Sequence, residues 1–348
     1  MSDAPISLLP LGAILQSLTV ASHNIVQGFP TQSDYEAHNA PFFGETIGRV
    51  ANRISNARLD SLNAGKSYAL AANNGPNNLH GGVVGWGKRV WEGPKPVGIR
   101  KIVGVKHDDG ENGDVEGEAV KFTLVSEDGD EGFPGTVEAS AVYTGAVQRV
   151  GGREVTVVEI EYSAVLVGDA DETVINMTNH SYFNLSGDPT IEGTIVTLTS
   201  NTYLPVDAGG IPTSGPAPFA SITPNEPFPL GPVDPDIDDC FISNLDPASV
   251  PLDTRAACPL ALHVSAHHPK TGIHLEVLST EPAFQFYTGK YIEVPAVEGA
   301  PARGKRSGFC VEPSRWVNAC NVPEWKGMVL LKKGETYGCR IVYRAWKE

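Results

Sequence analysis

The side chains best suited to acid–base chemistry in this chain are a histidine and a glutamate far apart in sequence. His180 lies in the run Asn176 to Gly187 (NMTNHSYFNLSG), a knot of amides, hydroxyls and two aromatics just before the turn Ser186-Gly187-Asp188-Pro189. The β-branched stretch Glu172 to Met177 before it reads as a strand, so His180 sits where a strand runs out into a loop. There Asn179, Ser181, Tyr182 and Asn184 can hydrogen-bond a polar ligand, or His180 is simply a satisfied, half-buried histidine. Glu312 closes the apolar strand Phe309-Cys310-Val311 and precedes a proline. Desolvation at such a strand end raises a carboxyl toward the range useful for a base. The alternative is an exposed glutamate.

Other clusters offer binding groups. Gly44, Gly48, Arg49, Asn52 and Arg53 form a candidate polar clamp, with Arg53 in a half-buried segment that calls for a carboxylate or ligand oxygens. His80 follows Asn77 and Asn78 and precedes Gly81-Gly82, a pair that lets a ligand approach the backbone. Trp86 and Trp91 are either an apolar platform or core. The acidic stretch 107–131 lacks calcium-loop spacing and reads as a solvated loop or hairpin tip. Asp234, Asp236, Asp238 and Asp239 cluster around two prolines, and His263 and His267 share a strand face without a third ligand, so no metal is expected.

Positioning these groups falls to strands. With 348 residues, 37 glycines, 27 prolines and little helical periodicity, the chain reads as one large all-β domain spanning 1–348. Alternating segments mark strands at 120–126, 137–143, 156–167, 194–198, 260–268, 273–280, 284–291, 329–331 and 337–343, with a turn at Gly151-Gly152. A net charge of −15 argues against nucleic acid or an anionic membrane as partner and suits a neutral ligand. Five scattered cysteines without a CxxC fit reduced thiols and a cytoplasmic protein. Ile6 to Val20, interrupted by Pro10 and Gly12, is neither a signal peptide nor a membrane span.

GRVANRI, NNLHGG, SEDGDEGFPG, NHSYFNLSG, QFYTG and SGFCVEP follow one another in this order. The chain thereby resembles the aldose 1-epimerases, also called galactose mutarotases, from about Gly12 to Tyr343. The resemblance implies a large antiparallel β-sandwich with a sugar in a cleft across it. It implies His180 as general acid toward the ring oxygen and Glu312 as general base on the anomeric hydroxyl. It implies His80 near the reacting end of the sugar, and Asn52, Arg53, Gln285 and Asp238 on its hydroxyls. Asp239 stands where the family often has histidine, which leaves open which of the adjacent aspartates faces the sugar. Trp316-Val317-Asn318 departs from the family's usual Pro-Asp pair, a doubt about that loop rather than about Glu312.

The activity so implied interconverts the α and β anomers of free hexoses such as galactose and glucose, with no cofactor. Ordinary pKa values of about 4.3 and 6.5 make Glu312 a carboxylate and His180 an imidazolium at mildly acid pH, so Glu312 sets the acidic limb of a rate profile and His180 the basic one. Two other readings stand beside it. One is a hexose-6-phosphate mutarotase using Arg303, Lys305 and Arg306; the other is a sugar-binding protein without turnover.

Overall fold

The structure, a computed structural model, describes residues 5–106 and 112–348. Two antiparallel sheets face each other. The larger has nine strands in the order Phe228–Pro229, Ile195–Leu198, Ala261–His268, Ile273–Ser279, Thr336–Lys347, Arg153–Val167, Thr136–Val150, Asn112–Ser126 and Glu92–Lys106. The smaller has six, in the order Tyr182–Phe183, Phe309–Ser314, Ala283–Tyr287, Asp238–Ile242, Thr202–Tyr203 and Ala217–Pro218. No helix among the described residues is long and apolar enough to cross a membrane.

The two-residue period of a strand divides the smaller sheet into two chemically different faces. Phe183, Phe241, Phe284, Phe286, Phe309 and Val311 point into the main core, where they meet Tyr143, Ile160, Ile341 and Tyr343 of the larger sheet. Each such side chain contributes about 1.5–3 kcal/mol of burial. The alternate positions point the other way. Register aligns Asp238 with Tyr287, Tyr287 with Cys310 and Cys310 with Tyr182 in one row. A second row holds Cys240, Gln285 and Glu312. The core therefore fixes which side chains are presented on the opposite face.

The alternating segments are strands as expected, several of them longer, and the turn at Gly151-Gly152 joins Thr136–Val150 to Arg153–Val167. Three local expectations fail, and one helix was not foreseen. Glu312 does not end its strand, which runs on to Ser314; beyond Cys310 that strand has a ladder partner on one side only, a setting that tolerates Pro313. A register shift between Leu262 and Val264 turns His263 into the core while His267 stays half-exposed, so the two share no face. The 284–291 strand stops at Tyr287, where the Tyr287 hydroxyl takes the Tyr291 N–H at 2.5 Å. A helix, Gln32–His38, has no counterpart in the sequence reading; its capping box of Thr31 and Asp34 is the local signal for it. Trp86 and Trp91 are both buried in the core and are no platform.

Candidate active site

A cavity of about 520 Å³ opens over the polar face of the smaller sheet, within the size range of small-molecule sites. All seven residues that the resemblance implies for the site line it: Asn52, Arg53, His80, His180, Asp238, Gln285 and Glu312. Strand parity selects Asp238 over Asp239, which lies on the opposite face of Asp238–Ile242 and does not line the cavity.

Glu312 and His180 form the floor. His180 bridges the short strands Thr178–Asn179 and Tyr182–Phe183, and its backbone is pinned on both sides: its N–H donates to Glu45 O at 2.9 Å, and its carbonyl accepts from Gly44 N at 3.0 Å. Its Nε2 lies 3.4 Å from Glu312 Oε1, and both side chains are almost wholly buried. Burial pushes His180 down to about 3, with Lys88 acting in the same direction and its own carbonyl opposing. Burial, then the negative charge of Asp238, pushes Glu312 well above the usual carboxylate range, against the pull of Arg53. These shifts overturn the assignment from ordinary pKa values. With both side chains buried, the carboxyl keeps a proton more readily than the imidazole does.

The wall is built by a hydrogen-bonded series. Asn52 Nδ2 donates to Gln285 Oε1 at 3.0 Å, and Gln285 Nε2 donates to Asp238 Oδ1 at 2.8 Å. Arg53 Nε donates to Asn74 Oδ1 at 3.0 Å, and no carboxylate takes its charge in an ion pair among the described residues. His80 has a left-handed backbone, φ 52°, held by its N–H to Asn52 O at 3.0 Å and by Asn73, whose amide bonds the backbone at Leu79 and Gly82. Gly81 cannot be replaced in this turn, since its φ is +84° and a Cβ would lie 2.0 Å from Gly48 O. Glu131 caps the same loop by accepting from Val83 N at 2.8 Å and Val84 N at 3.0 Å, while Asp130 takes Arg89. The acidic loop is thus structural scaffolding for His80 over 130–131; residues 107–111 of the acidic stretch lie outside the described residues.

Other candidates are spent elsewhere. Arg49 is buried and donates to Ser126, Glu127 and Pro134. Asn179 bonds Gly44, Ser181 and Tyr343, and Asn184 bonds Asp188 and Ser307, so of the polar run only His180 and Tyr182 reach the cavity. Arg303 lies over the Phe29 and Phe43 rings, and Arg306 donates to the carbonyls of Gly231, Val233 and Pro235. Neither lines the cavity, and neither does Lys305, which removes the phosphate-binding reading of these residues. The sequence reading missed Phe42, Asn74, Tyr287, Tyr291 and Glu293, all of which line the cavity. Phe42 packs its ring against both His80 and His180, with centroids 4.8 and 5.6 Å away.

Among the described residues the group with metal-ligand potential is His80, His180 and Glu312, whose candidate atoms lie within 4.8 Å of one another. The donor set is a poor one. His80 Nδ1 accepts the Asn52 backbone N–H at 3.3 Å, so the neutral ring carries its proton on Nε2. That nitrogen offers a donor to a ligand hydroxyl, not a lone pair to a cation.

Comparison with known proteins gives a consistent picture. The family model described as aldose 1-epimerase matches residues 3–344. The bifunctional protein GAL10 of Pachysolen tannophilus is 37% identical over 345 residues, 97% of this chain and 45% of that protein. The chain thus spans less than half the length of that relative. The galactose mutarotase of Sus scrofa is 36% identical over 320 residues, 90% of this chain and 81% of that protein. The crystal structure of an aldose epimerase homologue from C. elegans superposes with a TM-score of 0.77 at 24% identity, covering 98% of this chain and 95% of that one.

Proposed function

The chain belongs to the aldose 1-epimerase family, and from that premise we propose that it is a mutarotase interconverting the α and β anomers of free hexoses such as galactose and glucose. The observation that carries the reading is the buried Glu312–His180 contact of 3.4 Å at the floor of a cavity walled by hydroxyl-binding groups. The proposal extends to one domain over 1–348 acting in the cytoplasm on a monosaccharide, with no cofactor and with neither nucleic acid nor membrane as partner.

In the mechanism we propose, Glu312 takes the proton of the anomeric hydroxyl while His180 Nε2 gives one to the ring oxygen, and the C1–O5 bond opens. Rotation about C1–C2 presents the other face of the aldehyde, and closure runs the transfers in reverse. The sugar prepares the pair: a hydroxyl donating to Glu312 favours the carboxylate, and a ring oxygen accepting from Nε2 favours the imidazolium. Opening returns the proton to Glu312 and leaves His180 neutral. This is the state that burial by itself favours. The low-polarity floor therefore assists the step in which two opposite charges vanish. Asn52, Arg53, His80, Asp238 and Gln285 hold the hydroxyls so that the open chain stays in place.

The test is polarimetry of freshly dissolved α-D-galactose and α-D-glucose. Acceleration of the approach to equilibrium rotation is the expected result. No acceleration with either sugar, or with xylose or arabinose, by folded protein sinks the proposal and leaves a sugar-binding role.

A further inference from the structure

Cys310 stands one row from Glu312 on the same face of the same strand, and its Sγ is 3.5 Å from His180 Nδ1, a normal distance for a sulfur contact. The thiol is fully buried, and Tyr182 stands opposite it across the ladder. We propose that Cys310 is a positioning residue for the acid–base pair: its sulfur accepts the Nδ1–H of His180, leaving Nε2 as the nitrogen that exchanges a proton with Glu312 and with the sugar.

Two contacts set the tautomer. At one end Glu312 Oε1 lies 3.4 Å from Nε2, and a carboxyl that keeps its proton can only donate to a bare Nε2, which leaves the ring proton on Nδ1. At the other end the Cys310 sulfur lies 3.5 Å from Nδ1 and accepts that proton. Sulfur is also a weak acceptor. A carboxylate in its place would stabilise the imidazolium and hold the proton on the ring. A thiol orients the ring and leaves it acidic enough to release its proton. Glu312, His80, Tyr182, Cys310 and Lys88 are the titratable and charged groups around this imidazole. Among them Cys310 meets Nδ1, and Glu312 meets Nε2.

The inference rests on the mutarotase reading for what the pair does, though not for how the ring is held. The experiment is nitrogen-15 NMR of His180 in the full chain, together with mutarotation kinetics against pH, for wild type, Cys310→Ala and Cys310→Ser. Wild type should show a protonated Nδ1 and a bare Nε2. Cys310→Ala should spread the ring toward the other tautomer and lower kcat about three- to tenfold, the range expected for one hydrogen bond between neutral groups, with KM within about twofold. Cys310→Ser should restore the Nδ1–H tautomer and, oxygen being the better acceptor, move the acid limb to higher pH. A wild-type ring protonated on Nε2, or a Cys310→Ala protein with unchanged tautomer and pH profile, overturns the proposal. If Cys310→Ala does not fold, the acid limb of Cys310→Ser decides: unmoved, it also overturns it. Absence of turnover in wild type would fail the mutarotase reading, while the NMR arms still decide this one.

Discussion

The reversed protonation of the central pair can be read from a pH profile. A functional pair holds one proton. Ordinary values of 4.5 and 6.5 would confine that state between those pH values, with the acid limb belonging to the glutamate. In the folded protein the second proton goes onto His180, which burial pushes down to about 3, and the first leaves Glu312, which burial and Asp238 push up. The acid limb is therefore uptake of a proton by the histidine, and the basic limb is loss of one by the carboxyl, as macroscopic steps of a coupled pair. The consequence is measurable at pH 4. An acid limb at 4.5 leaves about a quarter of the plateau kcat/KM there, whereas one at about 3 leaves about nine-tenths. The assay is polarimetric, with the spontaneous rate subtracted and folding checked by circular dichroism. Glu312→Gln tests the assignment. It should lower kcat at least about 10²-fold, roughly 3 kcal/mol of transition-state stabilisation, and abolish the basic limb of the residual activity while keeping the acidic one. An acid limb near 4.5 that disappears in Glu312→Gln would refute the burial argument. Near wild-type turnover in that variant would refute the mechanism, and Asp238 would be the next carboxylate to test.

His180→Asn should cost a similar factor in kcat with modest change in affinity, measured on the same instrument. Arg53→Ala should weaken galactose binding in titration calorimetry by about three- to tenfold, the share of one hydrogen bond; unchanged affinity would assign Arg53 to the scaffold. Activity should survive prolonged EDTA treatment, and loss restored by one divalent ion would contradict the reading of His80 as a donor. Away from the cavity, Arg315 and Glu281 form a fully buried ion pair at 3.0 Å, so Glu281→Gln should lower unfolding free energy by about 3 kcal/mol in a denaturant titration.

Much of the site was legible because its residues sit in short motifs whose order is distinctive, and the sheets were legible because their strands alternate. What escaped depends on contacts between distant segments. In sequence Arg49 reads only as a member of the same clamp as Arg53; it is turned instead toward the carbonyls at 126–134, while Arg53 faces Asn74 at the cavity, and the partners that hold Arg49 lie 77 to 85 residues away in sequence. Glu131 looks like one more solvated acid, because the N–H groups it caps are 47 and 48 residues away. Phe42 reaches the two histidines through a backbone with φ 67°, in a segment bracketed by Asn39, which no periodicity reports. The pKa order of Glu312 and His180 was misread because reference values describe exposed groups, and both side chains are buried.

The two faces of the smaller sheet also place a rule on length. Along Ala283–Tyr287 and Phe309–Ser314 the face a side chain takes, the main core or the side that carries the cavity, follows from whether its position is odd or even. Deleting one residue from the first half of Phe309–Ser314 would carry the Glu312 carboxylate in among the phenylalanines and set Pro313 at the cavity in its place. Deleting two would shorten the strand yet keep each remaining side chain on its own side. Chain length within these strands thus has a parity, and changes of odd size are better tolerated in the connection between Glu293 and Arg303, where no such alternation is kept. An insertion scan across 283–314 would record it in stability: one residue added inside a strand should destabilise the fold by turning polar side chains into the core, whereas two should preserve folding while carrying Glu312 about 7 Å along the strand and away from His180.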